Sequence, residues 1–399
     1  MSSKPPRIQH DHDAAEALVM KMMTVPGAPG REANIARYII DQLRKLGIKA
    51  RSIGHDSAHR LSPFGGEVGN LIVKLPGQGD RKREPRRLLS AHMDTVPLCL
   101  GAIPERRGHI IRSRDKNTGL GGDDRSGCAV ILTALRTLIE HDLPHPPLTL
   151  CWFVQEEVGL VGSRHVSVSR LGRPAFGFNF DGRRPGQLVI GATGAYRMNI
   201  TVRGIAAHAG VHPERGVSAS VITAMAIADL QKNGWHGRIS KRRSTGTANL
   251  GPVSGGAATN VVTDQMHLRA EARSHDAGFR RRIVGAWQKA FKDAAAKLRN
   301  DSGRRGSVEF HIDHDYESFA LGPMDPVVEA ARHAVSAARL KPEYRIVDGG
   351  LDANNLTQHG VPTVTLGCGQ RDIHTVRESM DLRQYHAACR IALHLARGQ

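Results

Sequence analysis

The sequence predicts an α/β protein with a mostly parallel central sheet flanked by helices, and a smaller α+β domain inserted in it. Three observations carry that prediction. Apolar strand-like runs alternate with helical stripes through residue 193. Near Gly194 the pattern changes, with strict two-residue alternation over 196–202. From 315 to 399 the first pattern resumes, so the chain reads as one domain made of 1–193 and 315–399 around an insert, 194–314. At 399 residues, two cores are expected in any case.

In order, residues 13–23 read as a first helix. A second covers 31–46, with Ile35, Tyr38, Ile39, Leu43 and Leu46 on one stripe and Gly47 as its stop. Strands follow at 70–75 and 87–91. A helix over 126–141 turns Val130, Leu135, Leu138 and Ile139 inward. The apolar runs 148–155 and 175–180 are fully buried strands of a parallel sheet. In the insert, strands at 196–202, 247–253, 265–272 and 307–312 alternate with helices at 218–233 and 277–298, giving two β-α-β units. A helix at 326–340, strands at 344–347 and 363–366, and a helix at 382–397 complete the first domain.

Composition narrows the function. Aromatics make up only 4%, too few for a base-stacking surface. Net charge is +18, from 56 Lys+Arg against 38 Asp+Glu. The insert holds much of the excess: residues 193–314 carry 19 basic and 9 acidic side chains, or +10. No nucleic-acid motif accompanies it, and Arg280-Arg-Arg282 falls on a helix, so a solvated face is the expected reading. The same applies to the basic loop 81–87. The five cysteines, Cys99, Cys128, Cys151, Cys368 and Cys389, are scattered with no CxxC pair, which suits reduced, buried thiols. No apolar run approaches the roughly 20 residues of a membrane span, and the first residues are polar; a cytoplasmic protein is expected.

The chemistry centres on Glu156 and Glu157, adjacent carboxylates directly after the apolar run 148–154. Like charges so close resist joint ionisation unless a cation accompanies them. A metal explains both, with one carboxylate as ligand and the other handling a proton of an activated water. Four further segments place acids or histidines after strands or in Gly-rich loops. They are His92-Met-Asp94, Gly122-Asp123-Asp124-Arg125-Ser-Gly127, Asp181-Gly182 and Asp372-Ile-His374. Each alone has an ordinary explanation: a satisfied histidine, an N-cap, an Asp-Gly turn. Together they sit at the carboxyl ends of sheet strands, where α/β folds build their sites. Two histidines and several carboxylates, without a Cys ligand, suit zinc, with cobalt or manganese as substitutes. The number of acids suggests two ions sharing one carboxylate.

From His92 to His374 the chain resembles the di-zinc exopeptidases and amidohydrolases, nearest to the peptidase T (tripeptide aminopeptidase) group. The motifs that carry the resemblance are His92-Met-Asp-Thr-Val96, Gly122-Asp-Asp-Arg-Ser-Gly127, Glu156-Glu157-Val-Gly-Leu160 and Gly349-Gly-Leu-Asp352. It implies that His92, Asp123 and Asp181 hold one zinc, and Asp123, Glu157 and His374 the other. It makes Asp94 the residue that orients His92 and Glu156 the general base. In the insert it implies a lid and dimerisation domain in which His208, Asn260 and Arg273 bind substrate. The expected activity is release of the N-terminal residue of di- or tripeptides by a homodimer. The alternative is a carboxypeptidase or N-acyl amino acid deacetylase with the same site. A third reading, a basic nucleic-acid-binding protein on a decayed enzyme scaffold, is disfavoured by the complete ligand set.

Overall fold

The computed structural model describes residues 9–398, which divide into two compact units. One comprises the chain up to Gly191, Ala320–Val347 and the chain from Leu351 onward; the other comprises Ala192–Phe319 and Asp348–Gly350.

In the first unit the core is a sheet whose four central strands are parallel. Their order across the sheet is Leu148–Phe153, Arg87–His92, Phe176–Phe180 and Thr363–Leu366. Antiparallel strands flank them: Leu71–Leu75 and Ile53–His55 on one side, Gln187–Ala192 on the other. The expected mostly parallel sheet is therefore present. Continuous apolar runs follow from burial on both faces, and Leu148–Phe153 is buried at all six positions, with Trp152 completely enclosed. The helices Ala33–Lys45, Gly122–Glu140 and Leu382–Arg397 bury Ile35, Ile39, Leu43, Val130, Leu135 and Leu138 against this core, among others. Ile139, expected inward, is 40% exposed, while Thr137 and Leu138 of the same last turn are the residues buried.

One glycine decides how closely helix and sheet approach. A Cβ on Gly127 would lie 1.8 Å from the Phe180 backbone oxygen, at the end of Phe176–Phe180. Gly127→Ala is expected to destabilise the protein by about 1–3 kcal/mol through overpacking. A lowered urea midpoint would show it.

A small antiparallel sheet of Pro104–Arg107, Ile110–Ser113, Gln370–Arg371 and Ser379–Asp381 was not anticipated. Its strands have two to four residues, too few for periodicity to register. The basic loop also differs from expectation. Arg86 donates to the Leu148 and Leu75 carbonyls, and Arg87 donates to the Leu395 carbonyl (3.0 Å), so these side chains fasten backbone ends instead of only meeting water. All five cysteines are free and buried.

The second unit is an antiparallel sheet ordered Gly237–Lys241, Ser244–Gly255, Gln265–Ser274, Gly194–Arg203 and Ser307–Tyr316. Gln265–Ser274 lies between Gly194–Arg203 and Ser244–Gly255, and Gly194–Arg203 lies between Gln265–Ser274 and Ser307–Tyr316. The two β-α-β units thus interleave in a ferredoxin-like manner. The helices Ala219–Lys232 and Ala277–Lys297 pack Ile222, Leu230, Trp287 and Phe291 into its core. The strand Gly237–Lys241 was missed, since Lys241-Arg-Arg243 reads as a charge cluster. It is a hairpin turn, with Arg242 at φ 55°. Arg280 departs from the solvated-face expectation: it is completely buried, donating to the Ser274 carbonyl (3.1 Å) and paired with Glu317 at 2.5 Å. Its neighbours Arg281 and Arg282 are exposed.

Candidate metal centre

Strand ends of the first unit bring the acids and imidazoles together. His92 is the last residue of Arg87–His92, and Asp94 follows two residues on. His92 Nδ1 faces Asp94, 3.0 Å from its backbone oxygen and 3.4 Å from Oδ1. The other ring nitrogen, Nε2, lies 3.1 Å from Asp123 Oδ1 and 3.8 Å from Asp181 Oδ1. A hydrogen-bonded Nδ1 leaves Nε2 as the free donor, the usual arrangement behind a metal-ligating histidine.

Asp123 is the pivot of the cluster. While Oδ1 meets His92, Oδ2 lies 3.1 Å from His374 Nε2, and that nitrogen is 2.9 Å from Glu157 Oε1. One carboxylate thus faces two imidazoles on opposite sides, with Asp181 completing the His92 side and Glu157 the His374 side. Donor atoms sharing one tetrahedral zinc with bonds of about 2.0–2.1 Å are separated by about 3.3 Å. The observed separations bracket that value, so the donor set fits a cation on each side of Asp123. His92, Asp123 and Glu157 form one group able to hold an ion, and His92, Asp124 and Asp181 another. Asp124, though, is already engaged: Oδ2 accepts the His92 backbone N–H (3.2 Å), and Oδ1 accepts from Gly127 (2.9 Å) and Gln370 Nε2 (2.9 Å). Its role is to hold the strand end and the helix start.

The electrostatics point to missing positive charge. Burial pushes Asp181 well above the usual carboxylate range, and Asp123 reinforces it. Burial does the same to Glu156, where Asp352, Glu157 and Asp94 add to the effect against the opposing influence of His92. Asp123 is the exception. Burial would raise it, but hydrogen bonds to His374 and His92 prevail and hold it low. His374 is lifted to about 10 by Asp123 and Glu157. Without a cation, the imidazoles must be protonated to keep these acids together; divalent ions relieve the same strain more strongly.

Several interactions that shape the site escaped the sequence reading. The Asp94 carboxylate accepts the backbone N–H groups of Glu156 (3.0 Å) and Glu157 (3.1 Å), so one acid both faces His92 and grips the turn bearing the paired glutamates. Gln155, just before the pair, adopts φ 53°, unusual for a residue with a side chain. Its N–H donates to Glu32 (3.1 Å), a buried acid that burial, and then Asp94, raise to about 7. Glu378 accepts N–H groups from Leu120 (2.7 Å), Gly121 (2.8 Å) and Asp123 (3.1 Å), moulding the Gly-rich loop. Arg125, buried, donates to the carbonyls of Met93 and Val25. None of these pairs has a sequence spacing that could reveal it.

The predicted substrate residues belong to the second unit. His208 and Asn260 are neighbours: His208 bridges to Val261, and Ala209 N–H donates to the Asn260 carbonyl (2.9 Å). Arg273 presents Nε and Nη2 to Glu271 at 3.0 and 2.9 Å, a two-pronged pair. It borders a cavity of about 170 Å³ with Arg238, Thr247 and His275.

Comparison with known proteins identifies the family and the fold. Residues 88–398 match the model of peptidase family M20/M25/M40. The uncharacterized protein YqjE of Bacillus subtilis (strain 168) is 31% identical over 366 residues, covering 92% of each chain. The structure of aminopeptidase PepT from Bacillus cereus ATCC 10987 superposes with a TM-score of 0.83 at 30% identity, over 97% of this chain and 98% of that one. A tripeptidase from Staphylococcus aureus subsp. aureus Mu50 gives 0.86 at 28% identity, over 98% of each. Fold, acid–imidazole cluster and relatives together define a metallopeptidase. The chain belongs to peptidase family M20/M25/M40. Among the described residues no helix is long and apolar enough to cross a membrane.

Proposed function

We propose that the protein is an aminopeptidase that releases the N-terminal residue of di- or tripeptides, using two zinc ions. The observation that carries this reading is the placement of the two Asp123 oxygens, each 3.1 Å from a different imidazole. His92, Asp123 and Asp181 would hold one ion, and Asp123, Glu157 and His374 the other. When bound, the ions would polarise the scissile carbonyl and make water acidic near neutral pH. Glu156 is not in either set. It keeps part of its surface open, and Asp94 fixes its backbone. Its carboxylate would take the proton from the attacking water and deliver it to the leaving amine.

Preference for a free N-terminus is supported by two solved relatives at 28–30% identity, one an aminopeptidase and one a tripeptidase. His208, Asn260 and Arg273 are proposed to bind the peptide, and a homodimer is proposed as the working assembly. The deciding experiment compares a free tripeptide with its N-acetyl form after chelation and addition of zinc, cobalt or manganese. An aminopeptidase cleaves the free peptide and spares the acetylated one. Faster cleavage of the acetylated form would replace this reading with the carboxypeptidase or deacylase. Sedimentation tests the dimer.

A further inference from the structure

Outside this centre, three imidazoles converge where the start of one helix meets another helix. His10 and His12 flank Asp11, the N-cap of His12–Met23, and His386 lies in the second turn of Leu382–Arg397. His10 Nε2 and His386 Nδ1 are 3.1 Å apart, and the ring centroids of His12 and His386 are 4.1 Å apart. One nitrogen from each of the three rings falls within 4.8 Å of the others. His10 is 5% exposed, and among the described residues its Nδ1 has no hydrogen-bond partner, an uncommon state for a buried polar atom. His12 is exposed and His386 half-buried, so solvent reaches the cluster from one side.

We infer that His10, His12 and His386 form a second metal site, which takes a nitrogen-seeking divalent ion of the zinc, nickel or copper class. Three imidazoles with one open side match the three-ligand pattern for such ions. The His10 and His386 nitrogens at 3.1 Å stand near the spacing of ligands on one ion, and exposed His12, stacked on His386, would turn out of that stack to supply the third. Burial and the neighbouring cationic side chains favour the neutral rings of His10 and His386, whose lone pairs are available. The surroundings also set selectivity. Arg390 and Arg106 lie near His386, and the helix start adds partial positive charge, so charge repulsion opposes binding. Coordination bonds must carry it, which excludes the oxygen-preferring magnesium and calcium. A bound ion would pin the start of His12–Met23 to Leu382–Arg397, which are already joined by the Tyr385 hydroxyl donating to the Ala15 carbonyl (3.0 Å). Its effect would be on stability, not turnover.

The test counts ions. Chelator-stripped full-length protein is titrated with Zn2+ and, separately, with Mg2+, and bound metal is measured after desalting. The wild type should bind one more equivalent of Zn2+ than the double variant His12→Ala/His386→Ala. Both proteins should hydrolyse peptide at the same rate. Asp123→Asn, damaged only at the first centre, should retain the extra equivalent, so failure here is distinguishable from failure of the peptidase reading. The single variant His12→Ala alters an exposed side chain and guards against misfolding of the double variant. With Cu2+ as probe, it should lose the nitrogen splitting assigned to this site in the electron paramagnetic resonance spectrum. Equal zinc content in wild type and both variants, or Mg2+ retained as well as Zn2+, overturns the inference.

Discussion

Glu156→Gln is expected to leave the metal content unchanged and to lower kcat by about 10²–10⁴-fold, the usual contribution of a positioned general base. Glutamine keeps the shape of the side chain, and the backbone N–H of residue 156 still donates to Asp94. Neither proposed ion uses this side chain, so nothing that holds metal is lost. What disappears is the proton acceptor. KM should change little, because Glu156 is asked to act only on the reacting water. Metal analysis beside steady-state kinetics checks both halves. Loss of an ion in this variant would make Glu156 a ligand, and undiminished turnover would remove it from the mechanism.

Asp123→Asn is expected to act in the opposite order, with metal going first and activity following. Both oxygens of Asp123 are used, one toward His92 and one toward His374, so a neutral amide weakens both ion sites at once. An amide also offers one oxygen where two are needed. Bound metal should fall from two equivalents at this centre to one or fewer, with activity down by about 10³-fold or more, the scale reached when a metal that polarises the substrate is lost. The two variants together separate base from ligand. Similar zinc retention in both would show that Asp123 does not bridge.

Much of the catalytic unit was legible because burial on both faces writes itself into sequence as continuous apolar runs. Thr363–Leu366 and Leu148–Phe153 are cases. The five proposed ligands were legible for a related reason: each stands at or just beyond a strand or in a Gly-rich loop, a context in which a lone acid or imidazole is costly. Periodicity is silent on what holds them. The grip of Asp94 on the N–H groups of residues 156 and 157 spans 62 and 63 positions, and that of Glu378 on the 120–123 loop more than 250. Arg280 reads as one of three similar arginines, and only the fold distinguishes the buried one. The hairpin at 241–244 was hidden because its turn is built from the same charges that mark a solvated surface.

The position of Thr363–Leu366 has a consequence for how the enzyme comes into being. This strand lies between Phe176–Phe180 and Gln187–Ala192, which are formed far earlier in the chain. A growing polypeptide therefore carries an unfilled slot in its main sheet until residues 363–366 have been made. The proposed ligand His374 and the loop-moulding Glu378 arrive directly after the strand that fills the slot. Sheet closure and completion of the ligand set are thus one late event. A chain that stops short of these residues lacks both this strand and the full proposed ligand set. The exposed slot is correspondingly the stage most open to aggregation.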